Sequence, residues 1–503
     1  MGGKYRLTTL GCKVNQYESQ HIREVLQSHG LTPAGPDEPV DVAVINTCAV
    51  TTEAARKNRQ AIRSAARVSA REIVVVGCGA AADRERLETI DGVTAVFGHD
   101  VDVGIELRAL LRDRLGIRQP NHATERYRRS NGYEVSMNPP GPHEAARPAS
   151  VPVLTSSRET IPLGSGDVKP GVEMLARIEA FAGHQRAFLK VQDGCDASCT
   201  YCIIPRLRPR LRWKPVETAV AEARQLVGSG HKEIVLTGIF LGAYGRGTAI
   251  RRRFRPGRQP LAGLVAALAR VDGLVRLRLS SLEPGDVNDD LLDVLATAGP
   301  CVPHLHLPLQ SGSPEVLRRM NRQYSVDAFV EMIDRVRTAL NRPALTTDLI
   351  VGFPGETEAD FEASLAMCRD AGFCKIHTFP FSARPGTAAA RWGRDFVPAS
   401  IVRDRVRRLG ELERRLSYSF RRQFVGCTER VIVESRKTRA EGPEAVWNGR
   451  CDRYFEVHFS AAAPVAPGDH VEVSIERVTA TRTHGAIRSE PSRRTIPLAV
   501  LAT

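Results

Sequence analysis

The sequence predicts an α/β protein in three parts: a doubly wound parallel sheet first, a central (β/α) barrel of about six units, and a small all-β barrel last. Three observations carry this. Short apolar runs alternate with helical patterns from residue 1 to about 115, and again from Arg186 to about Ser382. Strands that alternate with helices pair in parallel, because each return passes through a helix. After an Arg-rich helical stretch, roughly Ser400 to Phe424, the apolar period changes to two in VIVES, YFEVHF and HVEVSIERV, which is the pattern of a small barrel.

In the first part, Tyr5–Leu10, Asp41–Asn46 and Glu72–Val76 read as strands. Gln16–His29, closed by Gly30, and Thr52 to about Val68 read as helices. The stretch 116–180 is rich in Pro, Gly and Ser and lacks sustained periodicity, so it reads as a linker or mobile insertion. Barrel strands are expected at Ala187–Gln192, Glu233–Thr237, Leu274–Ser280, His304–Leu309, Leu345–Val351 and Lys375–Phe381. These divisions place the units at 1–115, 181–422 and 423–486, with 487–503 as a tail.

At 503 residues the chain exceeds one hydrophobic core. Its 42% hydrophobic and 25% charged residues exclude disorder as the main state. No run of about 18 uncharged apolar residues is present, which excludes a membrane span. The start, MGGKYRLTTLGCKVN, meets polar residues before a signal-length apolar region forms, so a cytoplasmic location is expected. Lys plus Arg number 71 against 57 Asp plus Glu, a net charge of +14 that favours a polyanionic partner such as nucleic acid.

Eleven cysteines in such a chain argue against a disulfide framework. Cys195, Cys199 and Cys202 form C-x3-C-x2-C in GCDASCTYC, after the first barrel strand, where site-building loops emerge. Three thiolates this close can wrap one metal centre, and soft sulfur selects zinc, copper(I) or an iron–sulfur cluster. Structural zinc wants a fourth ligand, and none lies nearby, whereas a cubane can leave one iron open. Cys12, Cys48 and Cys78 are far apart in sequence, yet each follows a strand: TTLGCKVN, VAVINTCAV and IVVVGCG. In a parallel sheet those strand ends face one way, so the three can converge on a second centre; buried thiols are the alternative. Cys301, Cys368, Cys374, Cys427 and Cys451 show no ligand spacing and read as small thiols.

The C-x3-C-x2-C triplet at a first β/α loop resembles the radical S-adenosylmethionine superfamily. Both triplets with a C-terminal β-barrel resemble its methylthiotransferase family, over residues 1 to about 485. LGCKVNQYES, VINTCAVT, LTGIFLGAYG, SSLEP, HLHLPLQSGS, TTDLIVGFPGET and FPFSARPGTAA are most similar to the tRNA N6-threonylcarbamoyladenosine branch. The resemblance implies an enzyme with two [4Fe–4S] clusters, on Cys12, Cys48 and Cys78 and on Cys195, Cys199 and Cys202, and with S-adenosyl-L-methionine. It implies a TRAM-type RNA-binding domain, tRNA as partner, an electron donor such as flavodoxin or ferredoxin, and a sulfur source. One S-adenosylmethionine would methylate sulfur at the first cluster. A second would be cleaved at the other, its radical activating adenine C2–H before a methylthio group is transferred at position 37. The same chemistry on isopentenyladenosine tRNA or a ribosomal protein side chain is the near alternative, which CKVN disfavours. A non-catalytic RNA-binding iron–sulfur protein is the distant one.

Further candidates follow from position. Glu283 and Gln310 sit at strand ends, suited to the nucleoside part of the cofactor, and Asp348 is polar on an apolar strand; a structural role is the alternative for each. Tyr201 lies between cluster cysteines and could pack near the cofactor's adenine. Gly238 and Gly242 allow close backbone approach or make a turn. His304 and His306 share a strand face, as a metal pair or as core histidines. Arg206, Arg208, Arg210, Arg212 and Lys214 alternate beside the cluster loop, with Trp213 as a stacking surface for RNA. Arg251, Arg252, Arg253, Arg255 and Arg258 form a second run with Phe254. A solvated charge run is the alternative for both. The C-terminal barrel departs from the family pattern at NGRCDRYFEV, with Cys451 and Arg453.

Overall fold

The computed structural model describes residues 3–35, 38–67, 70–117, 175–182, 185–254, 260–437, 446–461 and 465–488. The expectation for 116–180 falls largely outside them. Its last residues do not behave as a spacer: Ile178 joins the main hydrophobic core together with Phe181, and Ala176 O accepts from Tyr17 Oη at 2.7 Å.

The N-terminal sheet comprises β1 (Lys4–Thr9), β2 (Thr32–Pro33), β3 (Val42–Thr47), β4 (Glu72–Gly77) and β5 (Val93–Phe97) in the order β2-β1-β3-β4-β5. All pairings are parallel. Period two divides the two central strands cleanly. Val42, Val44, Val74 and Val76 pack on one side with α1 (Lys13–Ser28) and α5 (Val103–Leu115). Ala43, Ile45, Ile73 and Val75 pack on the other with Ile62 of α2 (Thr52–Arg67). Helices on both faces explain why these strands read as continuous apolar runs. α1 begins three residues earlier than its apolar period indicates, directly after Cys12, whose side chain makes no capping bond. β2, β5 and the short helices α3 (Cys78–Ala82) and α4 (Arg84–Glu88) complete the unit.

The central unit has six parallel strands: β6 (Arg186–Asp193), β8 (Glu233–Gly238), β9 (Arg276–Leu279), β10 (His304–His306), β11 (Ala344–Val351) and β12 (Lys375–Pro380). A two-residue strand β7 (Arg212–Trp213) pairs antiparallel with the end of β6. The strands form two sheets joined by a parallel bridge at Leu277 and Cys301, a partial barrel with β6 and β12 at its edges. Outward residues such as Leu277, Leu279, Leu305, Leu345 and Leu349 pack in the core beneath the surrounding helices. The alternating inward residues are polar: Lys190, Arg276, Arg278, His304, His306 and Asp348. Among the described residues no helix is long and apolar enough to cross a membrane.

The 24-residue helix Ala399–Arg422 leads to a closed five-stranded barrel of β13 (Thr428–Lys437), β14 (Val446–Cys451), β15 (Glu456–Ser460), β16 (His470–Val478) and β17 (Thr483–Ile487), in the order β13-β14-β15-β17-β16. β14 and β17 carry glycines, Gly449 and Gly485, packed under neighbouring backbone, and so lack the alternation that marked the other three. This barrel docks on the N-terminal ends of the central strands through buried charge. Arg278 Nε donates to Glu233 Oε1 at 2.7 Å and its Nη2 to Cys451 O at 2.9 Å. Arg276 pairs with Glu233 (3.3 Å) and with Asp452 (2.5 Å). Arg453 pairs with Glu429 at 2.7 Å and donates to Arg342 O at 3.0 Å. Cys451 and Arg453, the departures in NGRCDRYFEV, therefore belong to an internal joint.

Glu233 holds two buried guanidiniums. Burial pushes its pKa up, but Arg278 and Arg276 outweigh that and hold it at about 2. Its contribution is full above the free-carboxylate value of about 4.3 and is lost as pH falls through about 2. Glu233→Ala should cost about 3–5 kcal/mol by leaving buried charge unpaired. Thermal melting should register the loss, and limited proteolysis should cut near residue 425; a melting curve matching wild type would remove this joint from the account.

Candidate active site

The adjacent parallel strands β1, β3 and β4 deliver Cys12, Cys48 and Cys78 to the same end of the sheet. Polar side chains lock the three loops. Asn15 Nδ2 donates to Leu10 O (2.8 Å) and Thr47 O (2.9 Å), while Asn46 Nδ2 donates to Asn15 O (2.9 Å). Asn58 clasps Cys48 from both sides, accepting from its N–H (3.2 Å) and donating to its carbonyl (2.7 Å). Gly11 has φ +107°, and a Cβ there would lie 2.8 Å from Cys48 Cβ. Only glycine lets the Cys12 loop approach Cys48 this closely.

Cys195, Cys199 and Cys202 lie on the loop after β6. Gly194 turns at φ +81° with Arg210 O against its α-carbon, and Asp193 accepts from Gly194 N at 2.8 Å. Asp196 accepts from Thr248 Oγ1 at 2.7 Å, Asn321 Nδ2 donates to Ser198 O at 2.8 Å, and Thr200 N donates to Met320 O at 3.1 Å. The loop is thus fixed from several directions before any ligand enters.

One residue touches both triplets. Arg208 Nε donates to Cys78 Sγ at 3.3 Å, and Arg208 O accepts from Cys195 N at 3.0 Å. Its Nη1 donates to Glu18 Oε1 of α1 and to Asp193 Oδ1 of β6, both at 2.8 Å. Ile203, next to Cys202, packs against Cys78. The two sets therefore face each other across the junction of the first two units. Lys190 Nζ adds a second cation to Glu18 (2.7 Å) and Asp193 (2.8 Å). His99 Nε2 lies 3.3 Å from Cys78 Sγ.

Burial pushes the Cys195 and Cys202 thiols up to about 12 and Cys78 up to about 11, the latter despite Arg208. Cys48 and Cys199 are raised by the same cause. Thiols held neutral by burial, as at Cys48, Cys78 and Cys195, are donors that a cationic centre converts to thiolates; Cys12 is exposed. A tetrahedral zinc at 2.3 Å would hold its sulfurs about 3.8 Å apart. Among the described residues, the group of three whose ligand atoms all lie within 4.8 Å is His306, Asp348 and His377, and neither cysteine triplet closes so far.

The remaining candidates divide. Arg322, which the sequence reading passed over, donates to Cys199 Sγ (3.1 Å) and Tyr201 Oη (3.3 Å) and pairs with Glu283. Glu283 also pairs with Arg251 at 3.2 Å, so its carboxylate holds two guanidiniums beside the second triplet. Tyr201 packs edge-on against Phe353 at 6.4 Å. Gln310 adopts φ +64° at the strand end, its N–H bonded to Asp348 O (2.9 Å) and its carbonyl to Ile350 N (3.0 Å), a non-glycine strain of the kind held at functional sites. Asp348 pairs with His306 Nε2 at 3.2 Å. His304 and His306 do not form a metal pair; His304 stacks on Tyr454 at 4.8 Å. Gly238 packs against Gln192, and Gly242 lies so close to Asp286 that a Cβ would collide with it, so the close approach at both is to protein.

Two of the five cations assigned to RNA need correction. Arg208 and Lys214 are buried, Arg208 as above and Lys214 between Glu222 and Tyr17 Oη, so neither can reach a phosphate. Arg206 and Arg210 are exposed and Arg212 half-buried. Trp213 packs partly into the core. In the second run Arg251 is an interior partner of Glu283 and Asp286. Arg252 and Arg253 are exposed, while Arg255 and Arg258 lie outside the described residues.

The description "Radical SAM superfamily" matches residues 189–368, and "Uncharacterized protein family UPF0004" matches residues 4–98. The threonylcarbamoyladenosine tRNA methylthiotransferase MtaB of Chlamydia pneumoniae is 32% identical over 478 residues, 95% of this chain and 96% of its own. That of Bacillus subtilis is 34% identical over 469 residues, 93% of this chain and 92% of its own. A tRNA-2-methylthio-N(6)-dimethylallyladenosine synthase of Frankia alni is 34% identical over 484 residues, 95% of this chain and 87% of its own.

Anaerobically reconstituted wild type should hold about eight irons per chain. Replacing Cys12, Cys48 and Cys78 together by Ala should leave about four, as should replacing Cys195, Cys199 and Cys202. Iron and sulfide assays on the three preparations check this; a triple variant that keeps all its iron would defeat the two-cluster assignment.

Proposed function

The chain belongs to the radical S-adenosylmethionine tRNA methylthiotransferases, and from that premise we propose that it adds a methylthio group to C2 of N6-threonylcarbamoyladenosine at position 37 of tRNA. The observation that carries the chemistry is the pair of opposed cysteine triplets joined through Arg208. Cys12, Cys48 and Cys78 would hold one [4Fe–4S] cluster, and Cys195, Cys199 and Cys202 the other. When bound, the clusters and S-adenosylmethionine would supply one-electron sulfonium cleavage and the methyl group, the sulfur coming from a separate source.

The chain's own residues orient and shield that chemistry. Arg322 places a buried positive charge against Cys199 and is itself held by Glu283, which favours the thiolate form needed for ligation. Arg208 does the same for Cys78. Exposed Arg206 and Arg210 beside the second triplet, with Arg252 and Arg253, offer phosphate contacts that position RNA without reading sequence. The C-terminal barrel supplies further RNA surface. An electron donor such as flavodoxin or ferredoxin, a sulfur source and a cytoplasmic location complete this reading.

The relatives include enzymes named for two different adenosine substituents at nearly equal identity, so the nucleoside is argued from the barrel. Its interior carries Arg278, His306, Asp348 and His377. A threonylcarbamoyl group offers donors and acceptors to a polar interior of this kind, whereas a dimethylallyl group offers none; a site built for hydrogen bonds rejects an analogue that lacks them. Mass spectrometry of tRNA nucleosides from cells with and without the gene tests this. The 2-methylthio-N6-threonylcarbamoyl nucleoside should disappear and its unthiolated precursor accumulate. Loss of a 2-methylthio dimethylallyl species instead would reassign the substrate while keeping the chemistry.

A further inference from the structure

Three side chains from the last three strands of the central barrel converge on its inner face. β10, β11 and β12 are neighbours in one parallel sheet. Their register sets His306 beside Thr346 and Asp348 beside His377. Thr346 and Asp348 are two positions apart, so period two turns both, with their partners, to the same face. There the ligand-capable atoms of His306, Asp348 and His377 all lie within 4.8 Å of one another.

The hydrogen bonds around them leave a place for a cation. His306 Nδ1 lies 2.9 Å from Thr346 Oγ1, and that hydroxyl directs its own proton to Leu305 O at 3.5 Å. The ring therefore donates through Nδ1 and turns the lone pair of Nε2 inward. Nε2 faces Asp348 Oδ2 at 3.2 Å, and two acceptors this close need a positive charge between them. No lysine or arginine supplies it. Among the described residues Asp348 pairs only with His306, and Lys375, on the neighbouring strand, pairs with Glu413 at 2.9 Å. A proton would serve the His306–Asp348 pair alone. Yet a second imidazole stands by: the His377 ring lies 5.7 Å from that of His306, and among the described residues its nitrogens make no hydrogen bond.

A tetrahedral ion held at about 2.0–2.1 Å sets its nitrogen and oxygen ligands about 3.3 Å apart, a spacing that His306 and Asp348 already match. The wider separations close by rotation of His377, which is exposed on the edge strand. Two neutral imidazoles and one carboxylate suit zinc and its neighbours better than calcium or magnesium, which take oxygen. Thr346 fixes the His306 tautomer in the way that outer partners orient metal ligands. We propose that His306, Asp348 and His377 bind one zinc-type divalent ion inside the barrel, separate from both iron–sulfur clusters. Three protein ligands leave a position open for an oxygen donor, water in the free enzyme. The site stands whichever adenosine substituent the enzyme accepts.

The test loads reconstituted, cluster-filled enzyme with zinc, removes the excess by desalting and counts metal. Wild type should retain one zinc per chain beyond its iron. X-ray absorption at the zinc edge should show nitrogen and oxygen at about 2.0–2.1 Å and no sulfur at about 2.3 Å. His377→Gln, at an exposed position, should weaken zinc binding by more than about 100-fold, and Thr346→Val by about 10–100-fold. Unchanged iron and sulfide in both variants show that clusters and fold are intact. Wild type that retains no zinc, zinc bound to sulfur, or a His377→Gln enzyme that holds zinc as wild type does would each overturn the site. The nucleoside profile of cells lacking the gene tests the substrate reading independently.

Discussion

The Arg208 guanidinium, buried between Glu18 and Asp193, is the interaction on which this architecture turns. Glu18 comes from the N-terminal helix and Asp193 from the first barrel strand, so the cation is shared between two units that fold on separate cores. Burial pushes both carboxylates up in pKa, but Arg208 and Lys190 outweigh it and hold them well below the usual range. Such a network contributes little over an apolar packing of equal volume, yet breaking one member strands the others without water. That asymmetry suits a joint that has to keep one geometry, because the same arginine touches Cys78 and carries the carbonyl that holds Cys195.

The two cysteine sets are built by different physics. Cys195, Cys199 and Cys202 sit close in sequence, and their loop must be prevented from collapsing; side chains from distant elements, Asn321 and Thr248 among them, hold it open. Cys12, Cys48 and Cys78 are brought together by strand order alone, and the asparagines at 15, 46 and 58 then lock register between loops. The first arrangement depends on local anchoring and the second on an intact sheet.

Positive charge is spent inward more than the composition suggests. Arg208, Lys214, Arg276, Arg278, Arg405 and Arg421 are all buried, holding carboxylates and carbonyls within and between units, so a net charge of +14 overstates the surface left for RNA. Arginine suits these joints because its planar fork satisfies several acceptors at once and stays charged when buried. The barrel interior is polar for a related reason: its outward faces take the apolar packing, leaving inward Arg276 and Arg278 for the C-terminal barrel at one end.

Much of this was readable from residues in order. The period of apolar residues marks the six parallel strands of the central barrel and three of the five in the last, while spacing singles out Cys195, Cys199 and Cys202 and strand-end position Cys12, Cys48 and Cys78. Where the pattern failed, the cause is specific. β14 and β17 hide behind glycines that fit under neighbouring backbone, and the start of α1 hides because Cys12 caps nothing. The long-range partners were not readable. An arginine in a basic run looks the same whether it meets phosphate or Glu18. Local periodicity and spacing are properties of neighbours along the chain, so sequence carries them; which charge meets which depends on contacts between residues as far apart as Arg186 and Glu434, and those exist only once the units have packed.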